Sequence, residues 1–183
     1  MSENRRRVPQ CPGYSRTMSE ETTPYLLRVD SPIGRLELTS DGTSVTSLLI
    51  AKDGVLPLDG TDDNPTAVLD AAATQLAEYF AGDRREFDVP VAPKGTEFQK
   101  QVWAQLSGLG WGEVASYGDI GRATGRPTAG RAVGGAVGAN PITIIVPCHR
   151  VLAGNGRITG YSGGNGIPTK VWLLEHEGIP HSV

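Results

Sequence analysis

The segment 116–137 constrains the fold more than any other, because glycine and proline divide it into two short helical patterns. Ser116 is a favourable N-cap for a helix over Gly118–Thr124, and a glycine follows the end of that helix. Pro127 then predicts the start of a second helix across Thr128–Val137. Two short helices joined by a glycine-containing turn are typical of a helix-turn-helix motif.

The second of these helices is unusual because nearly all of its side chains are small. Its small residues are Ala129, Gly130, Ala132, Gly134, Gly135 and Ala136. Each interior glycine costs up to about 1 kcal/mol of helix propensity relative to alanine. Two explanations stay open: tight packing against a neighbouring helix, or close approach to a nucleic acid, even in a minor groove about 6 Å wide. Arg131 is its one long side chain and could reach into a base stack.

The first half of the chain predicts a small antiparallel sheet with one helix. Strand-like runs across residues 25–51 are separated by the turn signals Ser31–Gly34 and Asp41–Gly42. The segment 66–82 is amphipathic and is followed by a helix-ending glycine. Its apolar stripe consists of Val68, Ala72, Leu76, Tyr79 and Phe80. This half has no histidine and no cysteine outside the first 24 residues, so we expect it to support the fold and to supply no chemistry.

The polarity of residues 1–24 predicts a disordered N-terminal extension. We expect a small α/β support domain over residues 25–93, then a mostly helical domain over residues 94–183. The second domain begins with a helix in "TEFQKQVWAQLSGL", with Thr96 as its N-cap. The apolar face of that helix carries Phe98, Val102, Trp103 and Leu106.

Composition excludes several classes of protein. A chain of 183 residues with 38% hydrophobic content predicts a packed globular protein. No apolar run approaches the roughly 20 residues that span a bilayer, so we expect no membrane contact. Cys11 and Cys148 are the only cysteines, and their spacing gives neither a disulfide framework nor a CxxC metal site. We therefore predict a reducing, cytoplasmic setting, a free Cys148 thiol, no metal and no cofactor.

The distribution of charge is uneven although the net charge is only −3. Residues 1–94 hold 10 Lys and Arg against 15 Asp and Glu, whereas residues 99–157 hold 6 against 2. A basic stretch inside an acidic protein is a modest footprint of a nucleic-acid partner. Ordinary scatter of surface charge stays open as the alternative.

The stretch "ITIIVPCHRVLAG" places a thiol, an imidazole and a guanidinium side by side. The β-branched run 142–146 predicts a buried strand that ends before Cys148. A lone cysteine is most often a small buried hydrophobe. Cations at His149 and Arg150, and hydrogen bonds from Asn140, would instead lower its pKa and make it a nucleophile.

A histidine that acts as a base needs an orienting carboxylate, and "LLEHEG" supplies two. Glu175 and Glu177 are the candidates, and their spacing alone does not decide between them.

Several motifs together resemble the O6-alkylguanine-DNA alkyltransferases, a family of direct-reversal DNA repair proteins. They are "FQKQVW", "GEVASYGDIG", "RAVGGAVGANP", "IIVPCHRV", "GYSGG" and "WLLEHEG", in that order. The resemblance is dense over residues 96–178 and thinner in the first half, through "SPIGRLELTSDG" and "LAEYFAG…EFDVPV". The PCHRV signature is highly specific for the family.

The resemblance implies a fold and an activity. The fold is a small ribonuclease-H-like sheet domain with a helix, followed by a mostly α domain with a winged helix-turn-helix. The activity is irreversible, single-turnover transfer of a methyl or small alkyl group from O6 of guanine, and less well from O4 of thymine, in double-stranded DNA. The acceptor is Cys148, reached after base flipping through the minor groove. We expect a monomer and leave cooperative DNA binding open.

The resemblance also assigns roles to residues that carry the reaction. Cys148 accepts the alkyl group, and His149 acts through a water as its base, with Glu177 behind it. Asn140 holds the turn that carries the cysteine. Tyr117 presses on the 3′ phosphate and donates a hydrogen bond to the flipped base.

Further residues line the pocket or face the DNA. Ser162 donates towards O6, the backbone carbonyls of Cys148 and Val151 accept from the guanine amino group, and Tyr161 walls the pocket. The pocket set also includes Lys170, although "GGNGIPTKVW" is two residues longer than the family usually shows. Arg131 enters the duplex and fills the gap left by the base. The remaining DNA-binding candidates are Tyr117, Arg126, Gln99 and Gly118.

Two other functions remain as alternatives. The first is a DNA-binding regulatory or lesion-sensing module whose thiol only responds to alkylation. The second is a cysteine hydrolase using Cys148 and His149, although adjacent residues rarely have the freedom to form such a dyad.

Overall fold

The computed structural model describes residues 25–183, so the predicted disorder of residues 1–24 lies outside the described residues. The chain begins with three antiparallel strands, β1 (Tyr25–Val29), β2 (Leu36–Ser40) and β3 (Val45–Ile50), in the order β1-β2-β3. Helix α1 (Ala67–Ala81) packs against the sheet and buries its apolar side there. The predicted antiparallel sheet with one helix is confirmed.

Helix α1 ends as its sequence predicts. Gly82 adopts a left-handed conformation with φ 84°, which a residue with a Cβ rarely adopts, and its N–H bonds to the last turn. Ala72, Leu76 and Tyr79 of the predicted stripe are buried. Val68 and Phe80 lie at the edge of the buried face and are only partly covered.

The second half is mostly helical, as predicted. Its helices are α2 (Glu97–Ser107), α3 (Tyr117–Ala123), α4 (Gly130–Gly138) and α5 (Ile167–His176), and a short parallel pair joins β4 (Ala115–Ser116) to β5 (Val151–Leu152). Capping boxes start two of the helices, Thr96 with Gln99 at α2 and Ser116 with Asp119 at α3. No helix among residues 25–183 has the length and apolar character to cross a membrane.

The helix-turn-helix consists of α3 and α4. Helix α4 begins at Gly130, two residues later than predicted, because Pro127 and Thr128 form a turn before it. In that turn the Arg126 N–H donates to the Gly121 carbonyl at 2.7 Å. Trp103 fixes α2 against α4, since its Nε1–H donates to the Ala136 carbonyl at 2.8 Å.

The predicted strand over residues 142–146 is wrong. Ile142 forms a single bridge with Leu48 of β3, and residues 143–145 are turns, with Ile144 at φ 70°. Four of the five side chains are nonetheless buried. The β-branched residues here reflect burial, since the segment forms only one bridge to β3 and its other backbone hydrogen bonds go to the Asn140 side chain and within the turn.

This turn segment joins the two halves of the molecule. The Leu48 N–H donates to the Pro141 carbonyl at 2.8 Å, and the Leu48 carbonyl accepts from the N–H and hydroxyl of Thr143. Both halves contribute to one hydrophobic core cluster. The sheet domain therefore fixes the position of the chain just before Cys148.

Two glycine substitutions should separate glycines that the packing needs from those it does not. A Cβ at Gly121 would lie 2.9 Å from the Arg126 carbonyl oxygen, so Gly121→Ala should destabilise the fold by about 1–3 kcal/mol. A Cβ at Gly135 meets no heavy atom of residues 25–183 within 4 Å, so Gly135→Ala should stabilise the fold by up to about 1 kcal/mol. Urea denaturation measures both. If both substitutions changed the free energy of unfolding in the same direction, the inferred difference in packing would be contradicted.

Candidate active site

Cys148 begins a short 3-10 turn, Cys148–Arg150, and its side chain is only 3% exposed. It lines a cavity of about 310 Å³ that lies between α4, the loop 159–163 and α5. The other lining residues are Tyr117, Gly134, Val137, Gly138, Thr159, Gly160, Tyr161, Ser162 and Lys170. The thiol is therefore reachable from the cavity and shielded elsewhere by the core.

Asn140 builds the turn that leads to the cysteine. Its Nδ2 donates to the Val146 carbonyl at 2.7 Å, and its Oδ1 accepts from the Ile142 N–H at 3.1 Å. Because Asn140 follows directly after α4, these bonds tie the Cys148 turn to the end of the helix-turn-helix. The buried amide is thereby satisfied at both ends.

The structure places Glu177, and not Glu175, against the histidine. Glu177 caps the end of α5 and is buried, whereas Glu175 is exposed. Glu177 Oε1 lies 2.9 Å from His149 Nε2. Arg150 donates to the same carboxylate through Nε at 2.7 Å and Nη2 at 2.8 Å. The Arg150 charge is thus engaged by Glu177 and does not stand free beside the thiol, as its place in the sequence had indicated.

One residue of this network was missed from the sequence. Tyr79 of α1 is fully buried, and its hydroxyl donates to Glu177 Oε1 at 2.8 Å. The expectation that the first half supplies no group to the site is therefore corrected. A buried tyrosine needs a hydrogen-bond partner, which was a usable signal. Nothing in the sequence indicated that this partner is Glu177, which lies 98 positions further along the chain.

The protonation states follow from burial and from these contacts. Burial lowers the pKa of His149, so the imidazole is neutral near pH 7. Burial opposes ionisation of Glu177, but hydrogen bonds from His149 and Arg150 outweigh it and lower the pKa of that carboxyl to about 2. We therefore assign the Nε2–H tautomer to His149, donating to Glu177. Nδ1 is left as an acceptor, and it has no partner among residues 25–183.

The thiol is held mainly in its protonated form. Burial raises the pKa of Cys148 above its ordinary value. The polar groups of Asn140 and Tyr161 and the charge of Lys170 oppose this rise without overcoming it. A buried thiol of this kind needs a base at the moment of attack.

Lys170 lies inside the cavity wall despite the longer loop before it. It is 1% exposed, and its Nζ donates to the Val151 carbonyl at 2.6 Å and to the Gly160 carbonyl at 3.4 Å. Burial lowers the pKa of Lys170 to about 8. The Val151 carbonyl, which the resemblance assigns to a guanine amino group, is thus already bonded to the ammonium.

Two further pocket residues also have protein contacts. The Ser162 hydroxyl donates to the Gly138 carbonyl at 2.7 Å, so it closes the cavity against the end of α4. The Tyr161 ring packs on Gly163, where a Cβ would lie 2.8 Å from the ring. These contacts fix the shape of the cavity wall.

The candidate DNA-binding residues fall into two groups. Tyr117 lines the cavity and its hydroxyl accepts from Thr159 at 3.2 Å, while Arg131 is exposed on α4. The others have structural contacts: Gln99 closes the capping box of α2, and the Arg126 guanidinium lies 4.3 Å from the Phe98 ring centroid. Gly118 is half-buried in the first turn of α3. Among residues 25–183 no group of three or more His, Cys, Asp or Glu is placed to hold a metal ion.

The fold and the site together define a helix-turn-helix protein with a buried cysteine that lines a cavity. The chain matches the family model of the 6-O-methylguanine DNA methyltransferase ribonuclease-like domain over residues 25–93 and that of the DNA binding domain over residues 97–179. The chain therefore belongs to the 6-O-methylguanine DNA methyltransferase family, as its motifs had indicated.

Individual relatives agree over nearly their whole length. A methylated-DNA–protein-cysteine methyltransferase of Mycolicibacterium paratuberculosis is 43% identical over 156 residues, covering 85% of this chain and 94% of the relative. The crystal structure of the Mycobacterium tuberculosis O6-methylguanine methyltransferase superposes with a TM-score of 0.75 at 43% identity, covering 85% of this chain and 93% of the other. The M. tuberculosis OGT in complex with DNA gives a TM-score of 0.71 at 45% identity, covering 82% and 90%.

Removing the buried carboxylate should destabilise the fold in a pH-dependent way. Glu177→Gln leaves Arg150 buried without its counter-charge, so stability at pH 7 should fall by about 3 kcal/mol. Because the pKa of Glu177 is about 2 in the folded state against an ordinary 4.5, its contribution is complete above about pH 4.5. This contribution is lost as the pH falls through about 2, so the stabilities of the parent and of Glu177→Gln should converge there.

Thermal unfolding at a series of pH values measures this difference, with the exposed Glu175→Gln as the matched control. The control should match the parent at every pH. A Glu177→Gln variant as stable as the parent at pH 7 would contradict the assignment of this carboxylate as the anchor of the site.

Proposed function

We propose that this chain repairs DNA by transferring a methyl or other small alkyl group from O6 of guanine to Cys148. In this proposal, residues 94–183 bind the DNA and accept the alkyl group, and residues 25–93 support them. The observation that carries the proposal is the buried thiol facing a cavity of about 310 Å³, beside the His149–Glu177 pair. Family membership supports it, since curated relatives are named methylated-DNA–protein-cysteine methyltransferases.

The chemistry requires a thiolate at the alkyl carbon. The Cys148 proton passes to Nδ1 of His149, directly or through a water. Throughout this step, Nε2–H of His149 keeps its hydrogen bond to the Glu177 carboxylate. The sulfur then bonds to the alkyl carbon as the bond from that carbon to O6 breaks, and the purine leaves with the electron pair. A hydrogen bond from the Tyr117 hydroxyl to the leaving base would stabilise the developing charge.

The product explains why the protein would act only once. Sulfur and the alkyl carbon are joined as a thioether, which has no ready hydrolysis route. The cysteine is therefore consumed, and one molecule repairs one lesion. A nucleophilic thiol must stay reduced, so we propose a cytoplasmic setting.

The glycine-rich helix supports DNA as the partner. The packed side of α4 consists of Val133, Ala136 and Val137. Within the described part of the chain, a Cβ at Gly130, Gly135 or Gly138 would meet no heavy atom within 4 Å, and at Gly134 it would contact only Tyr117, at 3.9 Å. Internal packing therefore does not require these glycines. Close approach of this helix to the surface of a partner does require glycines at these positions. The minor groove of DNA is narrow, so a helix that enters it needs such a surface without side chains.

The buried position of the thiol requires the base to leave the duplex. Extruding a nucleotide costs a few kcal/mol, least for a damaged base. Arg131, exposed on α4 beside the glycine face, is the side chain that we propose to fill the gap.

O4-alkylthymine presents a similar oxygen–alkyl bond on a smaller base, so we expect it to react less well. We propose that a monomer does this work.

Intact mass after mixing with a duplex that contains one O6-methylguanine tests the proposal directly. The protein should gain one CH2 unit, saturating at one per molecule, and peptide mapping should place it on Cys148. Cys148→Ala should bind the duplex and gain nothing, whereas Cys11→Ala should react as the parent does. Binding without any mass gain in the parent would favour a lesion-sensing module instead.

The proposed role of Arg131 in base extrusion can be tested by comparing transfer from duplex and single-stranded substrates. Arg131→Ala should slow transfer from a duplex by roughly ten- to a hundredfold, because the cost of unstacking is then no longer offset. With a single-stranded substrate the effect should be small. Arg157→Ala, another exposed arginine, is the control. Equal slowing of both substrates in single-turnover assays would exclude a role in base extrusion.

A further inference from the structure

We infer that Tyr79 is a positioning residue for the pair that activates the thiol, and that the sheet domain acts on the reaction through it. The inference rests on the proposed function, because it assigns Tyr79 to the same alkyl-transfer site. It starts from one contact: the hydroxyl of Tyr79, on α1, donates a hydrogen bond to the Glu177 carboxylate that also contacts His149.

The carboxylate of Glu177 is held from two directions. His149 and Arg150 approach it from the 3-10 turn that also carries Cys148. Tyr79 approaches it from the other domain, at 2.8 Å from the same Oε1 that His149 contacts at 2.9 Å. Without the tyrosine, every described side-chain donor to Glu177 would come from the turn whose orientation it is meant to fix.

The tyrosine ring is itself fixed in position. Aromatic rings surround it with centroids 5.0 Å away for His176 and 5.5 Å away for Phe87 and Trp111. The Tyr79 carbonyl also accepts from His176 Nε2 at 2.8 Å. The hydroxyl therefore keeps one position relative to Glu177, and burial keeps it protonated, with its pKa raised above the ordinary value.

The hydroxyl should also set how strongly Glu177 acts on the imidazole. A donor on Oε1 disperses the carboxylate charge, which weakens its pull on the proton of His149. His149 must be neutral to accept the thiol proton. Without the Tyr79 hydroxyl, a more basic carboxylate should raise the pKa of His149 and leave less of it neutral. The other titratable or charged groups around this pair are Arg150, Lys170, His176 and Cys148, which stay unchanged in the test below.

Tyr79→Phe removes the hydroxyl and keeps the ring. Single-turnover transfer from an O6-methylguanine duplex, with protein in saturating excess, should slow by roughly three- to tenfold at pH 6. The loss should be smaller at pH 8, so the midpoint of the pH profile moves upward. Affinity for an unmodified duplex should not change.

Phe87→Leu is the matched control, since it loosens the packing of the Tyr79 ring and keeps the hydroxyl. It should unfold at a lower temperature and retain the parent's pH profile. If Tyr79→Phe reacts with the parent's rate and profile, the inference is overturned. An equal shift of the profile in Phe87→Leu would also overturn it, because packing would then account for the effect.

Carbamidomethylation of Cys148 by iodoacetamide, with loss of iodide, is measured by peptide mass over the same pH range and separates this inference from the proposed function. If the parent transfers no alkyl group from DNA, the proposed function fails. The iodoacetamide profile then still decides on Tyr79: an upward shift supports its positioning role, and an unchanged profile overturns it.

Discussion

The buried carboxylate of Glu177 is the interaction on which the rest of the site depends. A carboxylate without solvent is stable only where donors surround it, and here three side chains provide them. Arg150 extends the network, because its Nη1 also donates to the Leu109 carbonyl at 2.5 Å, in the loop after α2. Helices α1 and α5, the Cys148 turn and that loop are thus fixed around one charged group. The packing of the two halves and the geometry of the site therefore depend on the same group of contacts.

The site combines a protected thiol with a base that is ready to act. Burial keeps Cys148 protonated and away from bulk solvent, which limits unwanted oxidation of a cysteine that is used once. Lys170 lines the same cavity, and burial lowers its pKa to about 8, so this environment disfavours charge. In the proposed function, reactivity would therefore depend on the substrate entering the cavity, where attack and proton transfer would occur together.

Local signals in the sequence predicted the helices well, and long-range contacts explain what it could not predict. Ser116 and Thr96 were placed as N-caps because capping requires only residues within one turn. The segment 142–146 was mistaken for a strand because β-branched side chains indicate burial in any backbone form. Spacing alone left Glu175 and Glu177 open, and the family resemblance assigned Glu177, which the end of α5 places against His149. The contact of Tyr79 needed the docking of two domains. The family motifs identified the cysteine at once, but not the geometry around it.

The bare face of α4 has a consequence for how such a chain can evolve. Each glycine there lowers helix stability although the fold itself leaves room for a side chain. Heat tolerance and access to DNA are therefore opposed at the same positions. Selection for survival at high temperature alone would favour alanine at Gly130, Gly135 and Gly138, and would gradually close the surface that repair uses. In the proposed function, glycines at these positions serve the approach of DNA, and the packing of the described residues does not require them.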